Sequence, residues 1–125
     1  MATIVDIDGT LLMSGNNPNQ KVIDYVNALP GEIIIVTGRH VSERKDTVDA
    51  LRSAGVKYSR LIMNPGSTAE TAEFKYKVGM KLKGLVDLAI DNNETMRAAY
   101  SRAGIKTKDP AKLPSMKKFW QIFFK

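Results

Sequence analysis

Two aspartates stand two positions apart at the end of a short aliphatic run, Thr3-Ile4-Val5-Asp6-Ile7-Asp8. On an extended strand, residues i and i+2 share a face, so both carboxylates are expected to point the same way. Two carboxylates held together repel each other and lose solvation unless a cation or a shared proton offsets the cost. A third carboxylate, Asp91, closes the run Val86 to Ile90 and can reach the same place from a neighbouring strand. Three hard oxygen donors, in a chain with one histidine and no cysteine, suit Mg²⁺. Thr37 and Arg39, with Gly38 between them, follow the run Ile33 to Val36 and bring a hydroxyl and a guanidinium. Lys75 adds an ammonium. Carboxylates around a divalent ion, ringed by anion-binding donors, make a site for phosphoryl transfer.

Such residues must be carried by elements that bring them together. Short aliphatic runs alternate with amphipathic stretches. Strands are expected at 3–5, 33–36, 58–63, 86–90 and 105–107. Helices are expected at 20–29, 42–54 and 67–82, and again from Asn92 or Asn93 to Ala103. Ser67-Thr68-Ala69-Glu70 has capping-box spacing, and Phe74, Val78 and Leu82 form the stripe behind it. Ser14 to Pro18 reads as a loop by its turn chemistry. Alternation of this kind means right-handed crossovers, a mainly parallel five-stranded sheet and helices on both faces: a three-layer, Rossmann-like α/β domain. Ligands in such sheets sit beyond the carboxyl ends of the strands, which is where Asp6, Asp8, Thr37, Arg39 and Asp91 fall.

The 125 residues predict one domain, 1–125. Composition is that of an ordinary globular protein, with 43% hydrophobic and 26% charged residues, which excludes disorder, collagen and coiled coil. The absence of cysteine excludes a disulfide framework, a thiol nucleophile and a thiolate metal site. Ile33 to Val36 is too short to span a bilayer, and no charged leader precedes the first apolar run, so a cytoplasmic protein without membrane contact is expected. Charge is uneven. Residues 1–74 carry 7 Lys/Arg against 9 Asp/Glu, or −2; residues 75–125 carry 12 against 4, or +8. A basic half suggests an anionic partner such as a phosphate ester or a nucleic acid.

Asp6-Ile7-Asp8-Gly9-Thr10 resembles the DxDGT motif of the haloacid dehalogenase-like superfamily. Three further motifs follow in that superfamily's order: Val36-Thr37-Gly38-Arg39, the lysine of Ala72-Glu73-Phe74-Lys75, and Leu88-Ala89-Ile90-Asp91-Asn92. The likeness covers about residues 3–107. It implies that Asp6 attacks phosphorus to form an aspartyl-phosphate, and that Asp8 protonates the leaving oxygen and then activates water. Thr37 would hydrogen-bond the phosphoryl group, and Lys75 would neutralise charge on nucleophile and phosphate. Asp6, Asp91 and the Asp8 backbone carbonyl would hold Mg²⁺. Asn92 departs from the second aspartate that many members carry, so its part in metal binding is the weaker for charge. Lys77 is the other candidate for the lysine role, and Lys75 is preferred because it lies nearer the helix start.

Members with small substrates often carry a cap domain. Here Thr10 and Ile33 are 23 positions apart, and Arg39 and Lys75 are 36 apart, and helices, a strand and turns fill both stretches. No cap is expected, which leaves the site open to a bulky substrate. Within the superfamily the second and fourth motifs, with Arg97 and Arg102-Ala103-Gly104-Ile105, look most like the phosphatase half of phage polynucleotide kinase/phosphatase. That likeness implies a nucleic acid 3′-phosphate as substrate, with Arg39 holding phosphate. Nucleotides and other small phosphate esters stand as alternatives, as does a non-catalytic nucleic-acid-binding or accessory module of the same fold. The plain readings are a helix-entry hydroxyl for Thr37 and solvated surface charges for Arg39 and Lys75. His40 reads as a rim residue. Over 113–125, Met116, Phe119, Trp120 and Phe123 have helical spacing. A final amphipathic helix is expected there, packing on the sheet or contacting a second copy or a larger enzyme. A membrane surface and base stacking are the remaining uses for its aromatic side.

Overall fold

The computed structural model describes residues 1–116. Five parallel strands form the main sheet: β1 (Ala2–Val5), β4 (Ile33–His40), β5 (Arg60–Asn64), β6 (Val86–Ile90) and β7 (Thr107–Lys108). Their spatial order is β5-β4-β1-β6-β7, and every neighbouring pair runs parallel. The chain builds outward on one side of β1, then returns to build on the other. The reversal lies between β1 and β6, the place where sheets of this type open a crevice at their carboxyl ends.

Side chains alternate along the strands and make two cores. Val5, Ile33, Ile35 and Ile90 face one side, where Val22, Ile23 and Val26 of α1 (Gln20–Asn27) and Leu51 of α2 (Arg44–Ser53) cover them. Ile4, Ile34, Val36 and Ala89 face the other, under Val78 and Leu82 of α3 (Thr71–Leu82) and Tyr100 of α4 (Glu94–Arg102). Each fully buried aliphatic chain contributes about 1.5–3 kcal/mol relative to exposure, so the sheet is clamped from both sides. The α/β three-layer reading holds. Gly79 brings α3 and α4 close, since a Cβ there would lie 3.0 Å from that of Ala103.

Three elements differ from expectation. β4 runs on through Thr37, Gly38, Arg39 and His40 beyond its aliphatic run, with a register irregularity between Thr37 and His40 where it pairs with β5. The backbone ladder continues after the apolar pattern ends. The stretch read as a loop carries a two-stranded antiparallel hairpin, β2 (Leu12–Met13) and β3 (Asn17–Pro18). Strands of two residues leave no periodicity to read. β7 begins at Thr107 because Ile105 N still bonds Tyr100 O at the end of α4. The Ser67/Glu70 capping box is present and leads through a short 3-10 turn into α3. Leu113 is buried in the first core; the helix expected over 113–125 otherwise falls mainly outside the described residues. Among the described residues no helix is long and apolar enough to cross a membrane.

Candidate active site

Asp6 is the residue after β1, and Asp91 is the residue after β6, so the two carboxylates meet at the reversal point of the sheet. Lys75 reaches them from α3. It lies near the start of the inward stripe Thr71, Lys75, Val78, Gly79 and Leu82, and this places its ammonium at the carboxyl end of the sheet. Nζ donates to Asp6 Oδ1 at 2.8 Å and to Asp91 Oδ2 at 2.6 Å. All three side chains are buried, Lys75 to 2% exposure. Lys77 is instead on the surface, beside Glu73 at 3.7 Å.

Burial pushes the Asp6 carboxyl up to about 6, outweighing the lowering by Lys75, while Asp91 adds repulsion; hydrogen bonds from Lys75 and Thr10 work against the rise. For Lys75, burial disfavours the ammonium, but the two carboxylates and their hydrogen bonds together hold it above its ordinary value. One ammonium thus serves two acids in a dry place.

The Asp8 carboxylate does not join them, contrary to the shared-face expectation. The strand has already ended there: Ile7 O accepts from the amides of Thr10, Leu11 and Leu12, which curls the chain, and Gly9 turns it at φ +82°. Strand alternation therefore does not extend to Asp8. Its side chain is 61% exposed and lies against Arg39, whose Nε and Nη2 donate to the two carboxylate oxygens at 3.0 and 2.8 Å. The fork to Asp8 raises the Arg39 guanidinium further above its ordinary value. Among the described residues, no three carboxylate or histidine side chains gather as a metal cluster.

What does converge is a mixed set of oxygens. The Asn92 amide nitrogen, turned toward its acceptors, donates to Asp6 Oδ2 at 3.0 Å and to the Asp8 backbone carbonyl at 2.9 Å. Asp6 Oδ2 and the Asp8 carbonyl share the Asn92 amide as donor, and Asp91 lines the same cavity. An all-oxygen set carrying two negative charges fits Mg²⁺, a hard cation that keeps several waters. Asn92 packs on Gly9, where a Cβ would collide with the Asn92 amide.

A cavity of about 430 Å³ opens over these groups. Asp6, Asp8, Gly38, Arg39, Lys75, Asp91 and Asn92 line it, and His40 and Met96 lie on its wall. Thr37 does not. It is fully buried, and its Oγ1 accepts the Arg39 amide at 3.1 Å. Gly38 is closely packed, since a Cβ would meet Thr71 Cγ2 at 2.7 Å and one of the two would have to shift. His40 uses Nδ1 to accept from Ser42 N at 3.1 Å, capping the turn into α2.

Several contributors lie outside the expected site residues. Thr10 donates from Oγ1 to Asp6 Oδ2 at 3.1 Å. Asn16 and Thr47 hold the Arg39 guanidinium. Arg97 donates to the Asp91 backbone carbonyl at 3.0 Å. Asn93, one of the two expected caps, starts α4 by accepting from Thr95 N at 2.8 Å. Thr10 inside the first motif, the expected cap Asn93 and the motif-flanking Arg97 were within reach of the sequence, whereas Asn16 and Thr47 meet Arg39 only through the fold.

Comparison with known proteins identifies the fold and the family. No curated protein matches the chain. Among solved structures, it is similar to a chain in "Structure of the Pnkp1/Rnl/Hen1 RNA repair complex", with a TM-score of 0.70 and 20% identity. That match covers 86% of this chain and 41% of the other, so the chain spans less than half of that neighbour. At this identity the likeness shows the fold. Residues 3–98 match the haloacid dehalogenase-like hydrolase family, and this span includes every motif from Asp6 to Asn92. The chain belongs to the haloacid dehalogenase-like hydrolases.

Proposed function

We propose that the chain is a Mg²⁺-dependent phosphomonoester hydrolase working through an aspartyl-phosphate on Asp6. One observation carries the reading: a buried carboxylate, paired with Lys75 and open to the cavity, with Asp8 standing at the cavity wall a turn later. An oxygen of Asp6 attacks phosphorus, and the bond from phosphorus to the leaving oxygen breaks. Asp8, protonated, gives its proton to that oxygen. Water then attacks the phosphorus of the acyl phosphate, and the Asp8 carboxylate takes its proton. Inorganic phosphate leaves, and Asp6 is regenerated. Lys75 offsets the charge on nucleophile and phosphoryl group. Thr37 lies outside the cavity lining, and its Oγ1 accepts the Arg39 amide. Asp6, Asp91 and the Asp8 backbone carbonyl would hold Mg²⁺, with Asn92 alongside. The ion would supply electrostatic stabilisation of the phosphoryl oxygens.

For the substrate, we favour a nucleic acid 3′-phosphate over nucleotides and small esters. Among the described residues no inserted domain covers the cavity, and the second half of the chain is strongly basic. The fold likeness to a chain of an RNA repair complex agrees.

The test is phosphate release with Mg²⁺ or EDTA from 3′- and 5′-phosphorylated oligonucleotides, free nucleotides and sugar phosphates. Turnover is expected on 3′-ends, lost in Asp6→Asn with the fold retained by circular dichroism. Normal turnover by Asp6→Asn refutes the covalent route. Equal, poor rates on every polymer refute the nucleic acid assignment and leave small esters. No release from any ester favours the binding module.

A further inference from the structure

We propose that Arg39 is a positioning residue that fixes the Asp8 carboxylate, and that it does not hold the substrate phosphate. The proposal rests on the phosphatase reading above. A guanidinium has five N–H donors. Two form the fork to Asp8, Nε to Oδ2 at 3.0 Å and Nη2 to Oδ1 at 2.8 Å. Nη2 also donates to Asn16 Oδ1 at 2.7 Å, and Nη1 donates to Thr47 Oγ1 at 3.4 Å. Four of the five are committed to the protein, which leaves one N–H for any ligand.

The orientation says the same. The Arg39 side chain is 15% exposed and the Asp8 side chain 61%. Both residues line the cavity, and the carboxylate is the more exposed of the two. Asn16 comes from the turn between β2 and β3, and Thr47 comes from α2. Two separate parts of the fold therefore set the plane of the fork, and the fork sets the plane of the carboxylate. Each Asp8 oxygen keeps a lone pair outside the fork for proton transfer. A phosphate could take the bidentate face only by evicting Asp8. Lysine cannot substitute: it is a point charge with no fork.

The experiment separates proton delivery from phosphate binding. The p-nitrophenolate of p-nitrophenyl phosphate departs without a proton; the alkoxide of glycerol 2-phosphate needs one. kcat/KM covers the steps through departure of the leaving group and is blind to the later hydrolysis. In Arg39→Lys, kcat/KM is expected to fall about 10²-fold on the alkyl ester. It should stay within a few-fold on the aryl ester, with inhibition by inorganic phosphate unchanged. Asp8→Asn should show the same split, and adding Arg39→Lys to Asp8→Asn should widen it no further. If Arg39→Lys does not fold by circular dichroism, Asn16→Ala loosens the same fork from an exposed turn and should show a smaller split of the same sign. Equal losses on both esters, with weaker phosphate inhibition, overturn the proposal and make Arg39 a phosphate ligand. A wild-type chain that releases phosphate from neither ester nor from a 3′-phosphorylated oligonucleotide overturns the phosphatase reading, and the role of Arg39 with it.

Discussion

Replacing Lys75 with methionine isolates the electrostatic centre of the site. Methionine keeps an unbranched chain in the same slot but removes the ammonium that holds Asp6 and Asp91 at 2.8 and 2.6 Å. Both acids stay buried without a counter-charge. Breaking a buried pair by deleting one partner costs about 3–5 kcal/mol. Total stabilities are about 5–15 kcal/mol, so the variant should remain folded but weakened. With an unfolding entropy of about 2.1 cal/mol/K per residue, that loss lowers Tm by roughly 11–19 °C for a chain of this size.

The pH dependence has a definite sign. The Asp6 carboxyl, held up at about 6 in the fold, binds a proton more tightly than in the unfolded chain. Its ionisation therefore removes stability as pH rises from its ordinary value through about 6. Without Lys75 the carboxyl rises further, and this window extends upward. The deficit of Lys75→Met should be full at pH 7.5 and shrink at pH 5, where a neutral carboxyl needs no partner. In the wild type, the raised Lys75 contributes stability below its ordinary value that is lost only as pH climbs through its higher folded value. Urea unfolding at both pH values, without metal and then with Mg²⁺, measures this. Added Mg²⁺ should restore part of the loss, as a second cation facing the same acids. A variant within about 1 kcal/mol of wild type at pH 7.5 would falsify the claim that this ammonium offsets two buried charges.

Two further outcomes follow from Asn92, beside the paired acids, and from Tyr100, which the site does not use. Asn92→Asp adds a third charge next to Asp6 and Asp91 and removes the amide donor to Asp6 and the Asp8 carbonyl. It should tighten Mg²⁺ binding by calorimetry and lower stability in EDTA; unchanged affinity refutes the placement of the cation beside Asn92. Tyr100 is fully buried and its hydroxyl has no partner among the described residues. Tyr100→Phe should therefore leave stability unchanged or raise it by about 1 kcal/mol in urea unfolding, whereas a loss of that size shows that the hydroxyl is bonded in solution.

The order of the layers was legible because burial writes itself into local pattern. Ile33 to Val36 is apolar on both faces and is a central strand; Val22, Val26, Val78 and Leu82 recur at helical spacing and are buried. The nucleophile candidate was legible too, since Asp6 ends such a run in a recognisable order of motifs. The β2–β3 hairpin was not, because two-residue strands have no period. Nor was the continuation of β4 to His40, which depends on a ladder with β5.

By itself, the sequence determined which residues end strands, and in a parallel sheet strand ends share one rim. That rule alone puts Asp6 and Asp91, the residues after β1 and β6, at one end of the molecule. Only the tertiary structure decided how they pair there. Asp6 and Asp91 share Lys75, while Asp8 turns away to Arg39. The reason is that strand alternation governs a side chain only while the backbone stays extended. Past Val5 the path is set by the amides that gather on Ile7 O and by the positive φ of Gly9, and these are contacts of the folded chain.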